Sequence, residues 1–201
     1  KILLLTFIMC LVGVANIKNR NAQTTATIDV DGTSNDVPVR TDGRYSMSQT
    51  IYDRAILPSQ LQSGCTITSI AYYVEESGVA VGQGAQNLNR KLIIYISEIA
   101  ETSFSSTTTS IVSNEVYNGE KEFIVKDWTT IELTKPITYQ GGNLMICVCD
   151  NTNAYTWNNT SFKTFYNANN VCLRTESSQT TPTNTSYTGN ISNQIPCIQF
   201  T

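Results

Sequence analysis

The sequence predicts an all-β fold: an antiparallel two-sheet β-sandwich, jelly-roll-like, of about ten strands. Three observations carry this. Apolar and polar residues alternate in short runs, turn residues separate the runs at close spacing, and helical periodicity is missing after the first 22 residues.

The N-terminus is a separate matter. Lys1 precedes an apolar run from Ile2 to Ala15, the length of an export-signal core and too short for a spanning helix. Residues 1–22 are expected to be a signal peptide and short leader, with Ala15 and Ala22 as alternative cleavage points. Residues 23–201 are expected to form a single β-sandwich domain with no membrane span once the signal is removed. This export route predicts a secreted, periplasmic or cell-surface protein.

The strands follow in order. Thr66 to Val74 places Ile67, Ser69, Ala71 and Tyr73 on one face and Thr68, Ile70, Tyr72 and Val74 on the other. Lys91 to Ile99 groups Leu92, Ile94 and Ile96 opposite Ile93 and Tyr95. Asn118-Gly119, between Val116-Tyr117 and Phe123-Ile124-Val125, reads as a hairpin turn. Trp128 to Leu133 sets Trp128, Thr130 and Glu132 against Thr129, Ile131 and Leu133, the pattern of a strand wet on one side. Asn143 to Cys149 is apolar on both faces and is expected to be a central, doubly covered strand. Ile195 to Phe200 closes the fold, with Pro196 tolerable on an edge. Thr102 to Ser110 and Ser177 to Ser192 read as long exposed loops.

Composition narrows the function. Only 14% of residues are charged, and a net charge of −3 with a pI near 4.9 offers no basic field for nucleic acid. The chain holds 0 histidines, which removes His-dependent serine and cysteine hydrolysis and the commonest metal ligand. A pair of carboxylates remains as possible acid/base machinery, although the Asp and Glu residues are scattered singly. Five cysteines follow the leader: Cys65, Cys147, Cys149, Cys172 and Cys197. An odd count cannot pair fully within one chain, and buried thiols are expected more than disulfides. Cys147 and Cys149 should point to the same face, with Val148 opposite.

Two segments are candidate sites. Asp29-Val30-Asp31-Gly32 with Asp36 has the oxygen-rich composition of a calcium loop, but it lacks the closing Glu of an EF-hand, and a polar turn explains it as well. Tyr155 and Trp157 beside Asn158 and Asn159 have the composition of a sugar-binding loop, in which rings offer flat apolar faces and amides offer hydrogen bonds. No other cofactor is expected. Asp150-Asn151-Thr152-Asn153 is expected to cap its strand through side-chain hydrogen bonds.

The segments Tyr45–Tyr52, Ile67–Tyr73, Leu92–Ile96, Val116–Gly119, Trp128–Leu133 and Pro136–Ile146 together resemble a family of exported Bacteroidetes β-sandwich surface modules, similar to cleaved-adhesin and other jelly-roll domains. The resemblance covers roughly Tyr45 to Asp150. It implies adhesion or ligand recognition and transfers no catalytic residue. The expected function is a non-catalytic binding module for a glycan or a protein ligand on a cell surface or matrix. The rival readings are a carboxylate-dependent carbohydrate-active enzyme and a structural subunit of a surface assembly.

Overall fold

A computed structural model describes residues 23–41, 45–76, 88–110, 114–153, 160–177 and 186–201. The expected leader, residues 1–22, lies outside the described residues. The fold is all-β, with no helix among the described residues.

One sheet has seven strands and is organised around β4 (Thr66–Glu76). On one side of it lies β8 (Trp128–Thr138). On the other side, β15 (Ile198–Phe200) pairs with Ile70–Tyr72, and β10 (Ser161–Tyr166) pairs with the end of β4. Beyond these come β1 (Ala26–Ile28) on β15, then β2 (Thr33–Asn35) and β14 (Gln194–Pro196) on β10. The second sheet has six strands in the order β13 (Asn190–Ser192), β11 (Cys172–Ser177), β3 (Tyr45–Tyr52), β9 (Asn143–Asp150), β5 (Asn89–Ile99) and β7 (Glu115–Glu122). A ribbon of β6 (Thr108–Ser110) and β12 (Ser186–Thr188) completes the set. Every strand pairing in these sheets is antiparallel.

The core forms where the apolar faces meet. Ile70, Tyr72 and Val74 from β4 pack with Leu92, Ile94 and Ile96 from β5 and Leu144, Ile146 and Val148 from β9. Phe123 and Phe162 meet edge to face at 5.1 Å. Tyr52 crosses the sandwich, its hydroxyl donating to the Pro196 carbonyl at 3.0 Å and its ring meeting Phe200 at 6.2 Å. Burying these side chains supplies the main drive to fold. As expected, β9 is central and buried on both faces. β8 also alternates as read, with Thr129, Ile131 and Leu133 buried and Thr130 and Glu132 exposed.

Four expectations are corrected. Ile67 joins Ile70 and Tyr72 in the core, because a β-bulge between Ile67 and Ser69 resets the alternation. Asn118-Gly119 is no turn: both sit within β7, opposite Ile93 and Leu92. Glycine serves there because the Tyr117 ring folds back over it; an added Cβ would meet the ring oxygen at 3.1 Å, and that hydroxyl donates to the Glu120 carbonyl at 2.9 Å. An aromatic ring covering an edge-strand glycine is a known device for stabilising such edges. The last strand is broken at Cys197, so that β14 runs on β10 while β15 runs on β4. Finally, the two expected long loops pair with each other through the β6–β12 ribbon, and β13 adds to the six-stranded sheet.

Candidate functional site

Tyr155, Trp157, Asn158 and Asn159 lie outside the described residues. The calcium candidates are described, and they do not converge. Lys163 donates to Asp29 at 2.5 Å and to Asp31 at 3.2 Å, while Asp36 is held by Arg174 and, at 3.7 Å, by Arg40. Three carboxylates that already face cations have no shared point at which to hold a hard dication. Among the described residues, no three His, Cys, Asp or Glu side chains gather as metal ligands.

The structure instead assembles a site on the outer face of the seven-stranded sheet. Strand alternation turns Tyr73 of β4 and Lys163 of β10 to the face opposite the buried Tyr72, Val74, Phe162 and Thr164, while Trp128 of β8 is half-buried beside Tyr73 and packs on the margin of the core. Tyr73 and Trp128 are direct partners in the β4–β8 register, and their rings meet edge to face at 5.6 Å. The turn before β8 sets that register. Lys126 takes a left-handed φ of 60°, donates its backbone N–H to Val74 at 2.8 Å, and extends its ammonium to Glu75 at 3.0 Å. Few residues other than glycine adopt that backbone region, so the turn is held by its bonds to β4.

Beside Tyr73 opens a depression of about 800 Å³, lined by Asp31, Gly32, Thr33, Ser34, Tyr73, Glu75, Glu76 and Lys163. β2 forms one wall and β4 the other, with β10 between them. Lys163 Nζ lies over the Tyr73 ring, 6.0 Å from its centroid, so the floor joins a cation to an aromatic face. The hydrogen bond to Asp29, helped by Asp31, pushes the Lys163 ammonium up against the opposing effect of desolvation. It is therefore a fixed positive charge across the physiological range. Glu75 likewise raises Lys126 by its hydrogen bond.

Gly32 is what lets β2 approach. A Cβ there would sit 2.6 Å from the Thr164 carbonyl oxygen and 3.1 Å from the Phe165 Cα, both backbone atoms that cannot rotate away. Gly32→Ala is expected to lower stability by about 1–3 kcal/mol and to loosen the Asp31 wall. Urea unfolding checks this, and a loss below about 0.5 kcal/mol, the range of neutral surface changes, would show that β2 is not tightly docked.

The remaining acid of note is not in the groove. Asp150 is fully buried between the sheets, where Arg90, also buried, donates to it through Nε at 2.7 Å and through Nη2. Thr152 closes a turn on the same carboxylate, its N–H at 3.0 Å and its hydroxyl at 2.5 Å. The expected cap at this strand end is present; the buried arginine was not foreseen. Burial pushes the Asp150 carboxyl up, with Arg90 and Thr152 pulling against it. All five described cysteines are free thiols. Cys147 and Cys149 share one face and Val148 faces the main core, as read from the sequence.

No protein-family model and no curated protein matches the chain. A solved structure of the cysteine protease and lectin-like domains of Cwp84, a surface layer associated protein of Clostridium difficile, is similar in shape: TM-score 0.42 at 10% identity, over 78% of this chain and 32% of that one. The chain thus spans about a third of that protein chain. At this score the likeness carries no functional argument.

Alternation in the sequence had put Trp128 on the wet side of its strand and Tyr73 on the face opposite Tyr72 and Val74, without saying which of those two faces points outward. What it lacked was the register that makes them neighbours.

Proposed function

We propose that this chain is a non-catalytic binding module of an exported surface protein, and that it seats a carbohydrate in the groove beside Tyr73. One observation carries the reading: an outward-facing tyrosine, braced edge-on by Trp128, borders an open depression whose other walls carry hydroxyls, carboxylates and a fixed ammonium. A sugar ring offers an apolar face for the aromatic and hydroxyls for the polar walls. The apolar run at residues 2–15 and the resemblance to exported surface modules support the cellular setting.

A glycan array with the purified protein tests this. Binding to a defined glycan class is expected, together with its loss in Tyr73→Ala. Uniform silence across broad panels, or binding indifferent to Tyr73, would refute the assignment.

A second reading is kept by one feature: Asp31, Glu75 and Glu76 line the same depression, and a carboxylate pair can hydrolyse glycosides. Against it, Asp31 is already engaged by Lys163 and Glu75 by Lys126, so neither carboxylate is left clear to face a substrate. Release of reducing sugar that disappears in Glu75→Gln or Glu76→Gln would establish the enzyme instead.

A further inference from the structure

The outer face of the six-stranded sheet carries a second, sulfur-rich cluster that the proposed binding function does not use. Cys147 and Cys149 are two apart on β9, so both thiols leave the same face, and their sulfurs lie 3.8 Å apart. Met47 on β3 is the direct cross-strand partner of Cys149, and Gln49 of Cys147. The Gln49 amide donates toward the Met47 sulfur at 3.9 Å. Met47, Cys147, Cys149 and Leu173 form one buried cluster, against which Ile93, Tyr95, Phe104 and Ile191 pack.

We propose that Met47, Cys147 and Cys149 form a binding site for copper(I), a soft monovalent cation. The spacing is the first argument. With metal–sulfur bonds of about 2.3 Å, two sulfurs 3.8 Å apart subtend about 110° at a shared cation, between trigonal and tetrahedral geometry. A disulfide would instead require the sulfurs to close to about 2.05 Å, against a strand held by hydrogen bonds on both sides. The observed sulfur spacing therefore suits a shared cation better than a disulfide.

Ligand chemistry is the second argument. Two thiolates and a thioether form an all-sulfur set, which selects copper(I) over hard cations. Zinc favours four closed ligands, commonly with histidine, and the chain has 0 histidines. The apolar shell keeps out the waters that a hydrated dication would need to complete its coordination. Each coordinating thiol gives up its proton to solvent as the cation enters. Binding should therefore weaken as pH falls.

The test is anaerobic titration of the reduced full chain with copper(I) held by a bicinchoninate competitor. One equivalent should leave the competitor, and X-ray absorption should show an all-sulfur shell at about 2.3 Å. Cys147→Ala and Cys149→Ala should each abolish that transfer, and Met47→Leu should weaken it about 10- to 100-fold, the scale by which supporting groups tune metal sites. Cys65→Ser, at a partly exposed thiol away from the cluster, should leave it intact. Wild-type protein that withdraws no copper overturns the proposal whether or not the variants fold. Transfer that depends on Cys65, an oxygen- or nitrogen-dominated shell, or a preference for zinc overturns it equally.

Discussion

Asp150→Ala is expected to lower the unfolding free energy by about 3–5 kcal/mol, because it strands a buried guanidinium that cannot shed its charge. Arg90 is 1% exposed and Asp150 0%. The carboxylate also anchors the Thr152 N–H and hydroxyl, so alanine removes the acceptor of four donor groups on two residues at once. The reverse change, Arg90→Met, should cost less and should depend on pH. Without the arginine, only the Thr152 hydrogen bonds oppose burial at Asp150, and the native carboxyl rises further above its unfolded value. The native state then binds more protons than the unfolded state between those two values. Stability of Arg90→Met should therefore fall as pH rises through that window, and be regained on acidification. Taking both charges out of water opposes their attraction, and burial raises the Asp150 carboxyl despite Arg90 and Thr152. Arg90→Met with Asp150→Leu should accordingly recover most of the lost stability or exceed wild type. Urea unfolding of the four proteins at several pH values measures this. A loss under about 1 kcal/mol in Asp150→Ala, the scale of an exposed ion pair, would mean that water reaches the pair.

Much of this architecture is legible in single strands, and little of it in their pairing. The faces of β5 and β8 can be read from alternation, because one apolar residue in two must point at a core, and the central place of β9 from an apolar run that does not alternate. Asn118-Gly119 misleads because the same dipeptide that makes a turn also makes room for the Tyr117 ring. Ile67 misleads because a bulge adds one residue to the count, and nothing in the composition of Thr66–Ser69 announces it. The polar stretches around Thr108 and Ser186 read as loops, since two strands that pair only with each other need no apolar face. Arg90 and Asp150 lie 60 residues apart, and their meeting depends on the β5–β9 register. The groove has the same character. Tyr73 and Lys163 come from two strands and Asp31 from the loop leading into β2, and only β10, lying between β2 and β4, makes them one site.

Tyr73→Ala is expected to weaken glycan binding by about 30-fold, close to 2 kcal/mol, the threshold of an aromatic hot spot. Tyr73 borders the groove directly, whereas Trp128 meets its ring edge to face and is not among the groove's lining residues. Trp128 is therefore a positioning residue: it fixes the ring plane on which the ligand stacks. Trp128→Ala should weaken binding less, by about 5- to 10-fold, the size of one aromatic pair contact. The two effects should not add. With Tyr73 already gone, Trp128→Ala has no ring left to orient and should change affinity little, leaving a coupling energy in the range found for touching residues. Both side chains are only partly buried, so the variants should remain folded while they are compared. Calorimetric titration of wild type, both single variants and the double variant, with the glycan found on the array, completes the cycle. Strict additivity would place Trp128 in contact with the ligand itself, and an unchanged affinity in folded Tyr73→Ala would move the site off this face altogether.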